Sequence, residues 1–276
     1  MTIITLTTDF GDKDGYIGML KGVIYAINPA ALLVDITHQL EPQNILQGAF
    51  MLHTTHRHFP PGTIHVAVVD PGVGTSRRAI CLEVPEVGYF VGPDNGLFSY
   101  ILEAYPNIIA RELINRAYHR QLISKTFHGR DIFAPVGAFL GRGEPFEEVG
   151  PQLELSGLVR LENLWPDWEQ KTNGKRLIKG KIIHIDNFGN LISNIHRRLF
   201  AELSSAELER LKIGIPLQIT ATGIKDTYGN EKKDTLIALF GSSDFLELAR
   251  VNGRADSRYG EKFAKIGEKF HVRLES

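Results

Sequence analysis

The first 70 residues alternate between short apolar runs and longer segments in which apolar side chains recur every three or four positions. Apolar, β-branched runs predict strands at residues 3–8, 32–36 and 63–69, and helical spacing predicts helices at 16–27 and 44–59. The order strand, helix, strand, helix, strand predicts a parallel sheet with right-handed crossovers.

The pattern changes after residue 70, where short apolar runs follow one another across turns. We expect strands at residues 79–84, 88–91 and 108–113 and helices at 97–104 and 132–140. Asp131 directly precedes the last of these helices, and we expect its carboxylate to cap that helix.

Proline and glycine become frequent between residues 141 and 174, and this segment is interpreted as a wrapping linker. Beyond it the chain is mostly strand-like, with one helical pattern at residues 201–211. The predicted strands cover residues 179–185, 191–195, 212–222, 235–240, 245–251 and 270–274. Short strands with glycine turns indicate a small barrel or sandwich. The sequence therefore predicts an α/β region followed by a smaller β-rich region.

Composition narrows the function classes. The chain has 276 residues, of which 43% are hydrophobic and 23% charged, with a formal net charge of −1. These values are ordinary for a globular protein, and the balanced charge argues against a sequence-independent nucleic-acid binder. The single cysteine, Cys81, excludes an internal disulfide. The N-terminal segment lacks the features of a signal peptide and no apolar run has the length of a membrane span, so a cytoplasmic protein is expected.

Candidate chemistry is concentrated at strand ends. The apolar run that ends at residue 69 is followed by Asp70, and Arg77 lies seven residues further on, beyond a glycine-containing turn. Asp9 ends the first predicted strand in the same way. Because ligands of open α/β sheets bind outside the carboxyl ends of the strands, the two carboxylates are expected to face one crevice. The competing interpretation is that each aspartate only ends a strand and starts a turn.

Other patterns give no support for a bound cofactor or metal. The GVG tripeptide at residues 72–74 lacks the third glycine of a dinucleotide fingerprint and precedes a strand pattern instead of a helix. His53, His56 and His58 do not have the i, i+4 spacing of a helical zinc pair, and we interpret them as a solvated helix end. By composition alone, His128 is interpreted as a polar surface residue of a loop.

Five segments together resemble one protein family. They are TTDFG at residues 7–11, VDPGVGTSRR at 69–78, GPDNGLFS at 92–99, TFHGRDIFAP at 126–135 and IDNFGN at 185–190. In order and spacing they are similar to the S-adenosyl-L-methionine (SAM) hydroxide adenosyltransferases, adenosine-forming SAM hydrolases that are related to the fluorinating and chlorinating SAM enzymes. The ordered set is far more specific than any single motif, and the resemblance covers nearly the whole chain.

The resemblance implies a fold and an assembly. The implied fold is α/β, with a Rossmann-like, mostly parallel N-terminal domain at residues 1–160, a linker at 161–176 and a smaller β-barrel-like domain at 177–276. The implied assembly is a homotrimer that binds SAM between the N-terminal domain of one subunit and the C-terminal domain of its neighbour. No metal or other cofactor is implied, since SAM is the substrate.

The resemblance also implies roles for individual residues. The implied water-handling triad is Asp70, Arg77 and His128. The implied substrate contacts are Asp9 with the ribose hydroxyls, Asp186 with the methionine ammonium, Asn190 with the adenine edge, Ser242 with the methionine end, and Asp70, Phe127, Gly129, Glu247, Arg250 and Asn252 around the remaining pocket. The halogenating relatives carry an uncharged aromatic residue at the position of Asp70, so the triad favours water over a halide, which a buried carboxylate would repel.

The implied reaction is attack of water on the ribose C5′, with methionine leaving as a neutral thioether that needs no general acid. Asp70 and His128 are both expected to accept hydrogen bonds from the water and to draw off its proton. Arg77 is expected to hold Asp70 through two hydrogen bonds and to lower its pKa. Phe127 and Phe245 are candidates for a dry apolar lining. Two alternatives stay open: a SAM-dependent halogenase, and a non-catalytic sensor of adenosine or SAM.

Overall fold

A computed structural model describes residues 2–170, 176–229, 231–258 and 261–274. The chain forms two compact units, divided between Glu162 and Asn163. Each unit contains its own sheet and its own hydrophobic clusters. Among the described residues no helix combines the length and the apolar character that a membrane span requires.

The N-terminal unit is built on a mixed sheet of seven strands. They are β1 (Ile3–Thr8), β2 (Leu32–Thr37), β3 (Thr63–Val68), β4 (Ala79–Val84), β5 (Gly88–Pro93), β6 (Ile109–Glu112) and β7 (Gln152–Leu153). The order is β2-β1-β3-β5-β4-β6-β7; the first four strands in this order run parallel, and the other neighbours pair antiparallel. The parallel pairing predicted for the first three strands of the chain is confirmed.

Helices pack on this sheet because its central strands are apolar towards both faces. The α-helices are α1 (Tyr16–Ile27), α2 (Ile45–Thr55), α3 (Ser99–Ala104) and α4 (Ala134–Gly141). Short 3₁₀ turns lie at His56–His58, Arg116–Tyr118, Phe146–Val149 and Leu155–Gly157. In β3, Val66 packs in the hydrophobic cluster of α1 and α4, whereas Ala67 packs in the cluster of α2 and α3. A strand buried on both faces is typically apolar without alternation, as residues 66–69 are.

The strand order determines where the loop after β3 lies. Strands β1 and β3 are parallel neighbours, with Thr8 paired to Val68, so Asp9 and Asp70 follow at the same edge of the sheet. Because β5 lies between β3 and β4, the loop of residues 69–78 must cross the carboxyl end of β5. This crossing places the loop at the edge where open α/β sheets bind ligands.

Asp131 does not cap a helix, and that prediction is wrong. It lies inside a π turn, Gly129–Phe133, which leads directly into α4. Its side chain is fully buried, and its carboxylate accepts hydrogen bonds from Arg120, Arg130 and the backbone of Ser124. The Asp131 carboxylate is thus bonded to Arg120, Ser124 and Arg130, whereas a helix cap would accept from the backbone N–H groups at the start of α4.

The C-terminal unit is a nearly closed, barrel-like sheet. Its strands are β8 (Trp168–Gln170), β9 (Arg176–Ile185), β10 (Leu191–His196), β11 (Lys212–Ile215), β12 (Ile219–Thr222), β13 (Ile224–Lys225), β14 (Leu236–Phe240), β15 (Phe245–Arg250), β16 (Ser257–Arg258), β17 (Glu261–Lys262) and β18 (Lys269–Leu274). The order is β12-β11-β18-β9-β10-β15-β14-β13, with β8 added beside β9 and β16 paired to β17. One α-helix, α5 (Ser205–Arg210), and a 3₁₀ turn, Arg197–Phe200, accompany the strands.

Two details of this unit differ from the sequence prediction. Residues 212–222 form the hairpin of β11 and β12 instead of one strand, because Leu217 adopts a left-handed backbone with φ of 64° between them. Part of the segment predicted as a linker, 161–176, forms β8, which pairs with β9. Residues 171–175 of that segment lie outside the described residues.

The histidines near the end of α2 are mostly buried, which contradicts the prediction of a solvated helix end. His56 is 2% exposed; its Nδ1 donates to the Leu52 carbonyl at 2.9 Å, and in the neutral ring its Nε2 accepts from the Tyr105 hydroxyl at 2.8 Å. His53 is also buried, and only His58 is exposed among the three. Sequence spacing placed them on one helix, but the aromatic neighbours that bury them come from distant segments.

We expect acid to destabilise the N-terminal unit through His65, a buried neighbour of these histidines. Burial lowers the pKa of His65 from 6.5 to about 3, so the folded state holds the ring neutral while the unfolded state binds a proton below pH 6.5. The contribution of His65 to the free energy of unfolding is therefore complete above pH 6.5, falls by ~1.4 kcal/mol per pH unit below it and stops falling near pH 3. Denaturant unfolding as a function of pH measures this slope. His65→Gln should flatten it and His58→Gln should not; equal slopes in all three proteins contradict the assignment.

Candidate active site

Three polar side chains meet beside the carboxyl end of β3. Arg77 holds Asp70 with two hydrogen bonds, from Nε to Oδ1 at 3.1 Å and from Nη2 to Oδ2 at 2.6 Å. The same Nη2 lies 3.0 Å from Nδ1 of His128. The side chains of Asp70 and Arg77 are only 5% and 7% exposed. The structure thus brings together the three residues of the triad that the sequence resemblance implies.

The loop of residues 69–78 is held by the segment that follows β5. Asn95 donates from Nδ2 to the backbone oxygen of Val69 at 2.8 Å. Arg78 donates from Nε and Nη2 to Oδ2 of Asp94, at 2.9 and 2.6 Å. Both ends of the loop are therefore fixed by Asp94 and Asn95, the residues that directly follow β5.

Gly74 is required where the loop passes the backbone of Lys125. It has a φ of +77°, and a Cβ atom there would overlap the Lys125 carbonyl oxygen. We expect Gly74→Ala to lower the free energy of unfolding by about 1–3 kcal/mol, because it adds both strain and a clash. Gly72→Ala is the matched control, since a Cβ at Gly72 would meet its nearest atom at 3.5 Å. Equal unfolding midpoints for the two variants would contradict this account.

Burial decides the net pKa shift of Asp70. Arg77 and its hydrogen bonds lower the pKa, in the expected direction, but burial outweighs them and raises the pKa above its ordinary 3.8. Burial, together with the charge of Arg77, lowers the pKa of His128 below 6.5, although Asp70 and Asp131 act in the opposite direction.

The contact with Arg77 determines the proton position on His128. A guanidinium has N–H donors and no acceptor, so Nδ1 of His128 must carry the lone pair that accepts this hydrogen bond. In the neutral ring the proton is then on Nε2. His128 therefore presents an N–H donor at its other edge, and the expectation that it draws a proton from water does not fit this hydrogen bond.

Asp70 and His128 line a pocket of about 610 Å³ in the N-terminal unit, a size typical of small-molecule sites. Its lining residues are Asp9, Phe10, Tyr16, Pro42, Gln43, Val68, Asp70, Pro71, Val73, Ser124, Thr126, Phe127, His128, Gly129 and Arg130. The two strand-end carboxylates, Asp9 and Asp70, line the same pocket, as the parallel strands predicted.

Asp9 and Phe127 are positioned by neighbours within this lining. The backbone N–H of Gln43 donates to Oδ2 of Asp9 at 2.8 Å, and Gln43 has a left-handed backbone with φ of 66°. The ring of Phe127 packs edge to face against Phe10, with 5.7 Å between centroids. Gly129 is buried against the same ring of Phe10, which a Cβ would approach to 3.3 Å. The pocket thus combines a fixed carboxylate with an aromatic wall.

In the C-terminal unit, Asp186 and Asn190 share the turn between β9 and β10. Oδ1 of Asp186 accepts from the backbone N–H groups of Phe188 and Asn190, at 2.9 and 2.8 Å. Its Oδ2 accepts from Nδ2 of Asn190 at 2.9 Å. The ring of Phe188 is 73% exposed at the tip of this turn. The turn therefore presents a carboxylate, an amide and an aromatic ring on one short segment.

Glu247 lies near this turn, on β15, and is largely buried. Its Oε2 accepts a hydrogen bond from the Tyr228 hydroxyl at 3.3 Å. Burial and the negative charge of Asp186 raise the pKa of Glu247 to about 7, against the effect of the Tyr228 hydrogen bond. The structure thus brings Asp186, Asn190 and Glu247 into one polar group of the C-terminal unit.

The other predicted residues of the C-terminal unit are Ser242, Arg250 and Asn252. Ser242 is exposed in the turn between β14 and β15, and Asn252 is exposed just after β15, with φ of 54°. Arg250 is half-buried at the end of β15. Phe245, proposed as a lining residue, is 1% exposed and stacks on Trp165 with 5.7 Å between centroids, so it belongs to the interior of this unit.

Sequence reasoning missed several residues that support the site. Asp94 and Asn95 follow β5 in the structure, but the strand predicted from the sequence ends at residue 91, so the strand-end signal does not reach them. The contributions of Gln43 and Asp131 depend on long-range contacts that no local pattern reveals. Among the described residues, no group of three or more His, Cys, Asp or Glu side chains has an arrangement that could hold a metal ion.

Family models describe both halves of this molecule. The SAM hydroxide adenosyltransferase N-terminal domain matches residues 4–150, and the C-terminal domain of the same family matches residues 180–265. The chain belongs to this family. Its membership accounts for the order of the five motifs and for the pairing of an α/β unit with a barrel-like unit.

Individual proteins of this family are similar to the chain over most of its length. An (R)-S-adenosyl-L-methionine hydrolase of Methanocaldococcus jannaschii is 38% identical over an alignment of 264 positions that covers 92% of this chain and 90% of that protein. A fluorinase of Actinoplanes is 28% identical over 79% of this chain and 76% of its own. The crystal structure of an uncharacterized conserved protein from Thermotoga maritima superposes with a TM-score of 0.87 at 35% identity, covering 98% of this chain and 99% of that one.

Proposed function

We propose that this member of the SAM hydroxide adenosyltransferase family hydrolyses (R)-S-adenosyl-L-methionine to adenosine and L-methionine. The observation that carries the proposal is the buried Asp70 carboxylate, held by Arg77 beside His128 in a pocket that also contains Asp9. The relatives named as SAM hydrolases support the substrate. Attack of water on the ribose C5′ forms a C–O bond, and the C–S electron pair remains on methionine as a neutral thioether.

Positioning of the water is the main task in this mechanism. Holding a nucleophile in line with the bond that breaks converts a bimolecular reaction into an effectively unimolecular one. Asp70 accepts a hydrogen bond from the water and takes its proton, while Nε2–H of His128 donates to the water oxygen. Asp9 fits the vicinal ribose hydroxyls, because a carboxylate can accept from both of them. Arg77 orients Asp70 and His128 at once.

The pKa directions in the site predict the acid limb of the pH profile. The active form needs Asp70 ionised and His128 neutral. Burial raises the pKa of Asp70 above 3.8 and lowers that of His128 below 6.5, so raising the pH from the acid side both ionises Asp70 and neutralises His128. We expect kcat/KM to rise on the acid side and then to level off. An acid limb centred below pH 3.8 would contradict the raised pKa of Asp70.

The test of the proposal is product analysis with labelled water. Purified protein is incubated with SAM in ¹⁸O-enriched water, the products are separated by chromatography, and the ¹⁸O content of each is measured by mass spectrometry. Attack at C5′ places ¹⁸O in adenosine and leaves methionine unlabelled. Absence of adenosine at every pH tried would refute the hydrolase, and tight SAM binding without product would identify a sensor.

The halogenase alternative is tested in the same assay with added chloride or fluoride. Fluorinases are relatives of this chain, so the comparison is direct. We expect no 5′-halo-5′-deoxyadenosine, since the Asp70 carboxylate repels a halide in a buried site. Formation of a halogenated nucleoside at the expense of adenosine would favour the halogenase over the hydrolase.

We further propose a homotrimer in which the C-terminal unit of a neighbouring subunit completes the site. In this arrangement Asp186 meets the methionine ammonium, Asn190 the adenine edge and Ser242 the methionine end, while Glu247 and the backbone of residues 250–252 close the pocket. The family resemblance supports this proposal, and sedimentation equilibrium tests it. A cytoplasmic location is proposed on the free, buried Cys81, which calls for no oxidising compartment.

A further inference from the structure

The wall of the pocket that contains His128 is a single irregular segment, residues 119–128, followed by the π turn. Six of the fifteen residues that line the pocket belong to this stretch: Ser124, Thr126, Phe127, His128, Gly129 and Arg130. Hydrogen bonds within this stretch converge on Asp131, which is fully buried. The segment lacks the repeated hydrogen bonds of a helix or strand, so individual side-chain bonds decide where it lies.

Asp131 is bonded to both ends of this segment. Its backbone oxygen accepts from the backbone N–H of Arg120 at 3.0 Å, and its Oδ1 accepts from Nη1 of Arg120 at 3.2 Å. Its Oδ2 accepts from the backbone N–H of Ser124 at 2.8 Å. Arg130 adds two bonds, from Nε at 2.7 Å and from Nη2 at 2.9 Å, and its guanidinium lies 5.0 Å from the centre of the Phe127 ring.

We propose that Asp131 is a positioning residue of the hydrolysis reaction, which fastens residues 120–130 so that His128 meets Arg77 and Phe127 stays in the pocket wall. The effect on turnover rests on the proposed function, whereas the effect on the position of the loop does not. Asp131 acts through its neighbours, since its carboxylate is fully buried and bonded to Arg120, Ser124 and Arg130.

The charge of Asp131 supports this role. Burial alone would raise the pKa of Asp131, but the hydrogen bonds from Arg130 and from the Ser124 backbone outweigh it and lower that pKa, so the group is a carboxylate at neutral pH. Its charge also raises the pKa of His128, against burial and Arg77, with Asp70 acting in the same direction as Asp131. Asp131 thus offsets part of the positive charge of Arg77 at the imidazole.

The test compares Asp131→Asn with Arg142→Gln, a matched control that breaks an exposed arginine–carboxylate pair of the same unit, Arg142 with Glu144. We expect Asp131→Asn to lower kcat by about tenfold or more, with a smaller change in the affinity for adenosine. Displacement of the reacting groups lowers the rate of the chemical step more than it weakens ligand binding. Two readouts do not need activity: amide hydrogen exchange at Ser124, and the ¹⁵N shifts that report the tautomer of His128.

In the wild-type protein we expect a protected Ser124 amide and a single Nε2–H tautomer, and in Asp131→Asn fast exchange and a mixture of tautomers. Wild-type exchange and shifts in Asp131→Asn overturn the proposal, as does a loss of turnover that Arg142→Gln shares. If Asp131→Asn does not fold, Arg120→Gln decides, since Arg120 is 45% exposed and supplies one of the bonds. For Arg120→Gln, a smaller change in the same direction supports the proposal, whereas wild-type exchange and shifts overturn it. A wild-type protein that makes no adenosine refutes the proposed function alone.

Discussion

Asp70→Asn is expected to lower the turnover of SAM by about 10²- to 10⁴-fold, the range that a lost general base typically costs. The amide keeps the shape of the side chain and can still accept one bond from Arg77, so the loop of residues 69–78 should hold its position. It cannot take a proton from water, however. Steady-state kinetics with product chromatography measure the loss, and calorimetry with adenosine should give an affinity within a few-fold of the wild-type value.

Asp9→Asn is the matched control for this prediction. It makes the same chemical change in the other carboxylate of the pocket, which is bonded to the Gln43 backbone. Because Asp9 is proposed to hold the ribose, we expect a raised KM with a much smaller effect on kcat. Equal kinetic effects for the two variants would remove the distinction between a base and a binding group, and an unchanged rate for Asp70→Asn would exclude Asp70 from the mechanism.

Arg77→Lys is expected to lower kcat by about 100-fold, although the charge at this position is kept. An ammonium group cannot reproduce the fork that donates to both oxygens of Asp70 while one of its nitrogens also meets His128. The Asp70 carboxylate and the His128 imidazole would then no longer be held in one orientation, and both neutral tautomers of His128 would be populated. The measurements are kcat and the ¹⁵N shifts of His128.

Arg142→Lys provides the comparison for this substitution. Arg142 is bonded to Glu144 on the surface, where the Arg142 side chain is 49% exposed. Exposed ion pairs contribute little to the stability of a fold. We expect wild-type kinetics from it. If Arg77→Lys loses no more activity than Arg142→Lys, the double role of Arg77 is wrong. If activity falls while the imidazole keeps a single tautomer, Arg77 acts on Asp70 alone.

Local patterns were sufficient for the elements that carry the pocket. The apolar run of β1, the spacing of α1 and the buried run of β3 each extend over six residues or more, and their order requires parallel neighbours. Asp9 and Asp70 follow two of these strands, so their presence in one pocket could be predicted from the sequence. Arg77 lies only seven residues after Asp70, so its place beside that carboxylate was also within reach of the sequence.

The features that could not be predicted all depend on distant partners. His128 enters the site across more than fifty residues of sequence, and only the resemblance to a family pointed to it. Asp131 had the sequence position of a helix cap, but Arg120 and Ser124 supply its donors. The raised pKa of Asp70 arises from burial, which the sequence does not reveal. The neighbouring arginine, which the sequence does show, acts in the opposite direction.

The supports of the β3–β4 loop have a consequence for how its chemistry can change. Asn95, the Arg78–Asp94 pair and Gly74 hold the loop through backbone atoms and a neighbouring ion pair, and none of these contacts uses the side chain of residue 70. Substitution of that one side chain therefore leaves these three supports in place. The polarity of the pocket at residue 70 can be varied without removing what anchors the segment that carries it.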